Sequence, residues 1–182
     1  METKTVTMHK NAWKLLDAGR SKDDFREVLK EVYADDINGL VSTNGRVLVK
    51  IAADQVYNLE ALEVGSYVVI STSKPDKAGY MVISLQKSDN NYPDYKKVIP
   101  EAGPSSDARG LTIPATIKKD PLAMTRAVLD LYKHTGSGFS IEYVAMLGLY
   151  TDAWTVNKPG PDKAARFEAS GNIVIVLPFK IN

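Results

Sequence analysis

Residues 3–8 alternate polar and apolar positions, with threonine and valine among them, and this two-residue period predicts a strand. Asn11 is placed to cap a short helix over 12–18, with Trp13, Leu15 and Leu16 toward the core and Gly19 as its stop. Phe25, Val28, Leu29 and Val32 then follow helical spacing behind Ser21, Asp23 and Asp24, so the local pattern alone reads as helix. Residues 40–42 and 47–51 are two apolar, β-branched runs around Thr43, Asn44, Gly45 and Arg46. Asn-Gly tolerates positive φ, and a hairpin is predicted there. Residues 59–64 read as a helical turn or a connection. Residues 67–71 and 80–85 flank the turn-forming stretch 74–79 and predict a second hairpin.

Residues 89–100 break this rhythm. Pro93 and Pro100 fix their own φ and push the preceding residues toward extended geometry, so the stretch reads as an exposed, semi-rigid strap. Residues 101–110, with Gly103, Pro104, Ser105, Ser106 and Gly110, read as a linker. A strand is expected at 111–113. Asp120 as N-cap and Pro121 at the first helical position then start a helix that runs to Tyr132 or Lys133 and ends at Gly136, with Leu122, Val128, Leu129 and Tyr132 toward the core. Residues 139–149, 153–156, 165–168 and 173–181 are apolar and β-rich, separated by turns at Gly148, Pro159-Gly160-Pro161 and Gly171. Both halves share a rhythm of strand, helix and several antiparallel strands, without a repeat that aligns by identity. The expected organisation is a first half over 1–88, strap and linker over 89–110, and a second half over 111–182, or one pseudo-symmetric domain overall.

Composition narrows the chemistry. Of 182 residues, 44% are hydrophobic and 25% charged, which suits a globular chain with a buried core. The net charge is only +1, from 23 basic and 22 acidic residues, so any nucleic-acid contact has to come from local clustering. Cysteine is absent, which excludes disulfides, thiolate catalysis and cysteine-ligated metals. No apolar run approaches the roughly 20 residues of a membrane span. Residues 1–5 lack the apolar core of a signal peptide, and a cytoplasmic location is expected.

The wording of the strap, Tyr92-Pro93-Asp94-Tyr95-Lys96-Lys97-Val98-Ile99-Pro100, resembles the interdomain segment of the bacterial DNA polymerase III beta subunit, the sliding clamp. Two further segments carry the likeness in the same chain order. Ser42-Thr43-Asn44-Gly45-Arg46-Val47-Leu48 is similar to the clamp's Ala-Thr-Asp-Gly-His-Arg-Leu turn, and Val174-Ile175-Val176-Leu177-Pro178-Phe179-Lys180-Ile181 to its closing Val-Met-Pro-aliphatic-Arg-Leu strand. The resemblance implies an α+β fold of two βαβββ-type halves, with antiparallel sheets and two helices on one face. It also implies a strand where the spacing reads as helix, and a strand over 26–33 is the expectation adopted.

In that family, helices present lysines and arginines to the phosphates of duplex DNA without reading bases. The matching set here is Lys10, Lys14 and Arg20 on the first helix, with Lys118, Lys119, Arg126 and Lys133 on the second. Polymerases and other replication proteins insert a short apolar motif into a groove of the clamp. Position by position, the match gives Thr43, Gly45, Arg46 and Leu48 from the turn, Pro93, Lys97 and Val98 from the strap, and Ile175, Leu177, Pro178 and Phe179 from the end. Asn44 for Asp, Arg46-Val47 for His-Arg and the bulky Phe179 depart from the family pattern. A ring around DNA would require copies of the chain to oligomerise.

His9 and His134 lie in unrelated segments and neither belongs to a metal-spacing motif. Phosphate-loop and nucleophile-elbow patterns are absent, and Gly136-Ser137-Gly138 lacks the required order. The expectation is therefore a non-enzymatic protein without a cofactor or membrane partner: a clamp-like processivity or recruitment factor. The alternative is an interaction adaptor of the same fold that does not encircle DNA.

Overall fold

The β-branched alternation at the N-terminus forms β1 (Thr3–His9), which buries Val6 and Met8 and turns straight into α1 (Lys10–Gly19). The structure is a computed structural model and describes residues 2–23, 25–35, 37–101, 108–113, 119–151, 153–157 and 163–178. It falls into two units, Met1–Asp94 and Tyr95–Asn182.

In the first unit α1 is followed by β2 (Val32–Asp35), β3 (Gly39–Thr43), β4 (Val47–Ile51), β5 (Gly65–Thr72) and β6 (Tyr80–Lys87). The strands form an antiparallel sheet in the order β1-β6-β5-β2-β3-β4. Helix α1 packs on β3 and β4 through Ala12, Trp13, Leu15, Leu16 and Gly19. Beyond β1, the connection after β4 returns to close part of the sheet margin. Thr7 and Tyr57 exchange both main-chain hydrogen bonds, at 3.0 and 2.8 Å.

Several expectations need correction here. His9, not Asn11, caps α1: its Nδ1 accepts from the Asn11 amide at 3.3 Å. Gly19 is the last residue of the helix and not its stop, because the chain passes too close to Ser42 for a larger residue. Of the strand expected over 26–33, only Val32 and Tyr33 are in one, at the start of β2. A 3-10 turn, Glu27–Lys30, buries Leu29 and leads into β2, while Phe25 stands almost fully exposed. Both hairpins form as expected, and the second carries a β-bulge between Val69 and Ser71.

The second unit contains β7 (Ala108–Thr112), α2 (Pro121–Thr135), α3 (Ile141–Leu147), β8 (Ala153–Asn157), β9 (Ala165–Ala169) and β10 (Asn172–Val176). Its sheet runs β10-β9-β8-β7, antiparallel throughout. As the sequence suggests, Asp120 caps α2, accepting from the amides of Leu122 and Ala123 at 3.0 Å each, and Gly136 ends it at a φ of 72°.

Three expectations fail in this unit. The strand predicted at 111–113 starts earlier, inside the stretch read as linker, of which 102–107 lie outside the described residues. Helix α2 buries Met124, Ala127, Leu131 and Thr135, not the bulkier Leu122, Val128, Leu129 and Tyr132. The 139–149 stretch contains α3, which packs on α2. Trp154 caps that helix end: its indole donates to the carbonyls of Leu147 and Thr151 at 3.1 Å each. Among the described residues, no helix is long and apolar enough to cross a membrane.

Candidate functional site

The turn between β3 and β4 is built by its own side chains. Thr43 Oγ1 donates to the Val47 carbonyl at 2.7 Å and accepts from the Gly45 amide at 3.1 Å. Asn44 Oδ1 accepts from the amides of Arg46 and Val47 at 2.9 and 3.0 Å. Only Gly45 takes a positive φ, 85°, so Asn44 contributes here as a side-chain acceptor. Gly45 and Arg46 are exposed, Thr43 is half-buried, and Leu48 belongs to the core.

The strap reaches this turn from within the same unit. Its first residues carry no regular secondary structure. Glu31, at 4% exposure, accepts from Ser88 Oγ at 3.0 Å and from Asn90 Nδ2 at 2.6 Å. Tyr92 follows, buried, with its ring 5.3 Å from that of Tyr33 at a 33° tilt. Its hydroxyl lies near the Thr43 main chain but makes no hydrogen bond, and one carboxylate oxygen of Glu31 is likewise unpartnered. Burial pushes the Tyr92 phenol well above the ordinary tyrosine range. The Thr43 main chain opposes that rise, and the Glu31 charge adds to it. Pro93, next in the chain, is exposed.

In the second unit the other half of the strap meets β9, the neighbour of the C-terminal strand β10. Lys97 and Val98 sit exposed on a 3-10 turn, Tyr95–Val98. The Pro100 carbonyl accepts from the Arg166 guanidinium at 2.8 Å, and Arg166 stands opposite Ile175 in the β9–β10 ladder. Glu168 holds the Arg166 guanidinium at 2.8 Å. Ile175 is buried, Leu177 exposed and Pro178 half-buried; Phe179 lies outside the described residues. Hairpin and strap thus come together in the first unit, while in the second the strap is held by β9, which pairs with the final strand.

No protein-family model matches the sequence, and no curated protein sequence is similar to it. Solved structures do match. The DNA polymerase III beta subunit of Thermotoga maritima is similar at a TM-score of 0.58 and 13% identity, over 100% of this chain and 67% of that one. The beta subunit of Borrelia burgdorferi, solved in complex with a natural product, is similar at 0.55 and 15%, over 98% of this chain and 65% of that one. The sliding clamp of Bartonella birtlesii, bound to griselimycin, is similar at 0.53 and 13%, over 100% and 67%. The fold is that of the bacterial sliding clamp. The chain spans 65–67% of the length of these proteins.

On this clamp fold the cations expected from the sequence to face DNA have unequal surroundings. Lys14, Lys119, Arg126 and Lys133 are exposed, Lys10 is half-buried, and Lys118 lies outside the described residues. Arg20 is engaged structurally: its guanidinium pairs with Asp17 at 2.7 Å and donates to the Lys30 carbonyl at 2.5 Å. At 3.6 residues per turn, Leu122, Arg126, Leu129 and Lys133 form one stripe along α2 opposite its buried face. Two leucines therefore stand in solvent between the cations, at 60% and 51% exposure.

Shallow cavities of about 300 and 210 Å³ also occur, the first walled by Lys4, Glu63 and Lys87, the second by Arg109, Asp130 and His134; neither includes a residue of the sequence-derived set. Among the described residues no group of His, Asp and Glu could hold a metal ion. Sequence reasoning missed Glu31 and Arg166, which fix the two ends of the strap. Their partners lie 57–66 residues away, and no local spacing signals them.

Proposed function

We propose that this chain is a shortened, non-enzymatic sliding-clamp-like factor of the cytoplasm that associates with duplex DNA without reading its sequence and docks short apolar motifs of replication proteins. The observation that carries the reading is the likeness of essentially the whole chain, 98–100%, to bacterial sliding clamps. DNA contact falls to Lys10, Lys14, Lys119, Arg126 and Lys133, with Arg20 contributing least because its donors are engaged. Such contact is electrostatic, and its affinity falls with salt by roughly 0.9 in log–log slope per phosphate neutralised. Of the residues proposed for motif docking, Gly45, Arg46 and Pro93 are exposed in the first unit, and Lys97, Val98 and Leu177 in the second. Encirclement of DNA would require copies of the chain to assemble into a ring.

The test is a salt titration of duplex binding beside a calorimetric titration of griselimycin, a ligand of related clamps. Charge reversal by K14E and R126E should abolish duplex binding and leave griselimycin binding unchanged, while L177D should do the opposite. A monomer in sedimentation at high concentration that shows no salt-sensitive duplex binding would remove the ring reading.

The second reading is an interaction adaptor that keeps the groove and does not encircle DNA. The leucines of the α2 outer stripe favour it, because a phosphate backbone gains nothing from exposed Leu122 and Leu129. Under this reading K14E and R126E leave every measured association intact.

A further inference from the structure

We propose that Glu31 is a positioning residue for the strap: by holding Ser88 and Asn90 it fixes the approach of Tyr92 and Pro93 to the Thr43 turn, and so sets the first unit's wall of the docking groove. The inference rests on the groove reading above and adds to it the residue that shapes the groove.

A carboxylate at 4% exposure is costly unless hydrogen-bonded, and the groups that satisfy Glu31 Oε1 are Asn90 of the strap and Ser88 just before it. Ser88 and Asn90 lie 57 and 59 residues further along the chain, so these bonds are purely tertiary. They also form one unit, since the Asn90 amide donates to Ser88 Oγ at 3.1 Å while Ser88 Oγ donates to Glu31. The sheet ladder does not do this work. Beyond the Ser88 amide, which donates to the Ser66 carbonyl at 2.9 Å, residues 88–94 carry no strand or helix.

Glu31 itself is firmly mounted. Its amide donates to the Val28 carbonyl at 3.3 Å, and the preceding carbonyl, that of Lys30, accepts from Arg20 at 2.5 Å. Arg20 is in turn held by Asp17 of α1. A rigid acceptor thus grips two side chains just before a tyrosine whose backbone is restricted by the following proline. Tyr92 then seats against Tyr33 and beside Thr43, which places exposed Pro93 near the turn.

The experiment uses the intact chain with E31A, E31Q and N90A, and reads griselimycin affinity, amide hydrogen exchange over 89–92 and thermal melting. E31A and N90A should weaken griselimycin by about tenfold, the usual worth of a hydrogen bond to a charged group, and should speed exchange across the strap. E31Q keeps an acceptor at Oε1 and should stay within about threefold of the parent. A residue that merely supports the fold would lower the melting temperature without changing the affinity of the folded protein. Asn90 is exposed, so N90A answers the question even where E31A fails to fold. Parent-like affinity together with parent-like strap exchange in N90A overturns the inference. Where the parent chain does not bind griselimycin, the groove reading fails by itself. Strap exchange then decides alone: acceleration in N90A upholds the hold of Glu31 on the strap, and unchanged exchange overturns it.

Discussion

Gly19 backs directly onto Ser42: a methyl group on its α-carbon would stand 2.5 Å from Ser42 Oγ and 2.7 Å from Val49 Cγ2. Ser42 cannot swing aside cheaply, because its hydroxyl donates to the Leu16 carbonyl at 2.6 Å in the buried face between α1 and the sheet. Alanine would gain roughly 1 kcal/mol of helix propensity at this position. The overpacking should cost more, and G19A is expected to lose about 1–3 kcal/mol net. Urea unfolding followed by the fluorescence of Trp13, six residues before Gly19 on the same helix, measures it; an unchanged midpoint refutes the close contact.

Tyr92 presents a buried hydroxyl without a hydrogen bond. Y92F removes that group and should leave stability at pH 7 equal to the parent or about 1 kcal/mol higher. The pH dependence has a definite sign. The folded-state phenol titrates above the ordinary tyrosine value of about 10, so the unfolded chain releases its proton first as pH climbs. Stability present below that pH is therefore lost above it, at up to about 1.4 kcal/mol per pH unit. Y92F should show a shallower alkaline loss in melting curves taken between pH 8 and 12. Part of the loss should persist, because Tyr80, hydrogen-bonded to Tyr57, also titrates late.

Trp154 is 2% exposed and spends its one donor on the end of α3. W154F keeps most of the apolar contact and takes the indole donor from the Thr151 carbonyl, while the Leu147 carbonyl keeps the Tyr150 amide at 3.3 Å, for an expected loss of about 1 kcal/mol. Far-UV circular dichroism should show a lower melting temperature for the variant, and an unchanged melt would deny the cap its role.

Asp120 holds two amides at the start of α2. D120A should cost about 1 kcal/mol and D120N much less, since asparagine caps nearly as well. Hydrogen exchange at Leu122 and Ala123 reads the fraying directly, and equal rates in D120A and the parent would contradict the assignment.

The parts of the fold that were legible in the sequence are those whose cause is local. Asp120, Pro121 and Gly136 mark α2 because caps and left-handed stops are chosen by neighbouring residues. Thr43 to Gly45 mark the hairpin for the same reason. The failures are tertiary. Ile141, Tyr143 and Val144 favour strands by propensity, yet α3 is helical, packed on α2 and capped by Trp154. On α2 two periodic sets compete, and the smaller one, with Ala127 and Thr135, faces inward. Size misleads where the neighbouring elements leave little room. The candidate site divides in the same way: its turn, strap and closing strand are readable as strings, while Glu31 and Arg166 emerge only from folding.

The pairing of Thr7 with Tyr57 bears on how copies of this chain could join. A neighbour that sought to lengthen the first unit's sheet past β1 would find the amide and carbonyl of Thr7 already engaged. Lateral strand addition there must first peel away the segment around Tyr57, which makes that margin a guarded one and directs any assembly to other surfaces.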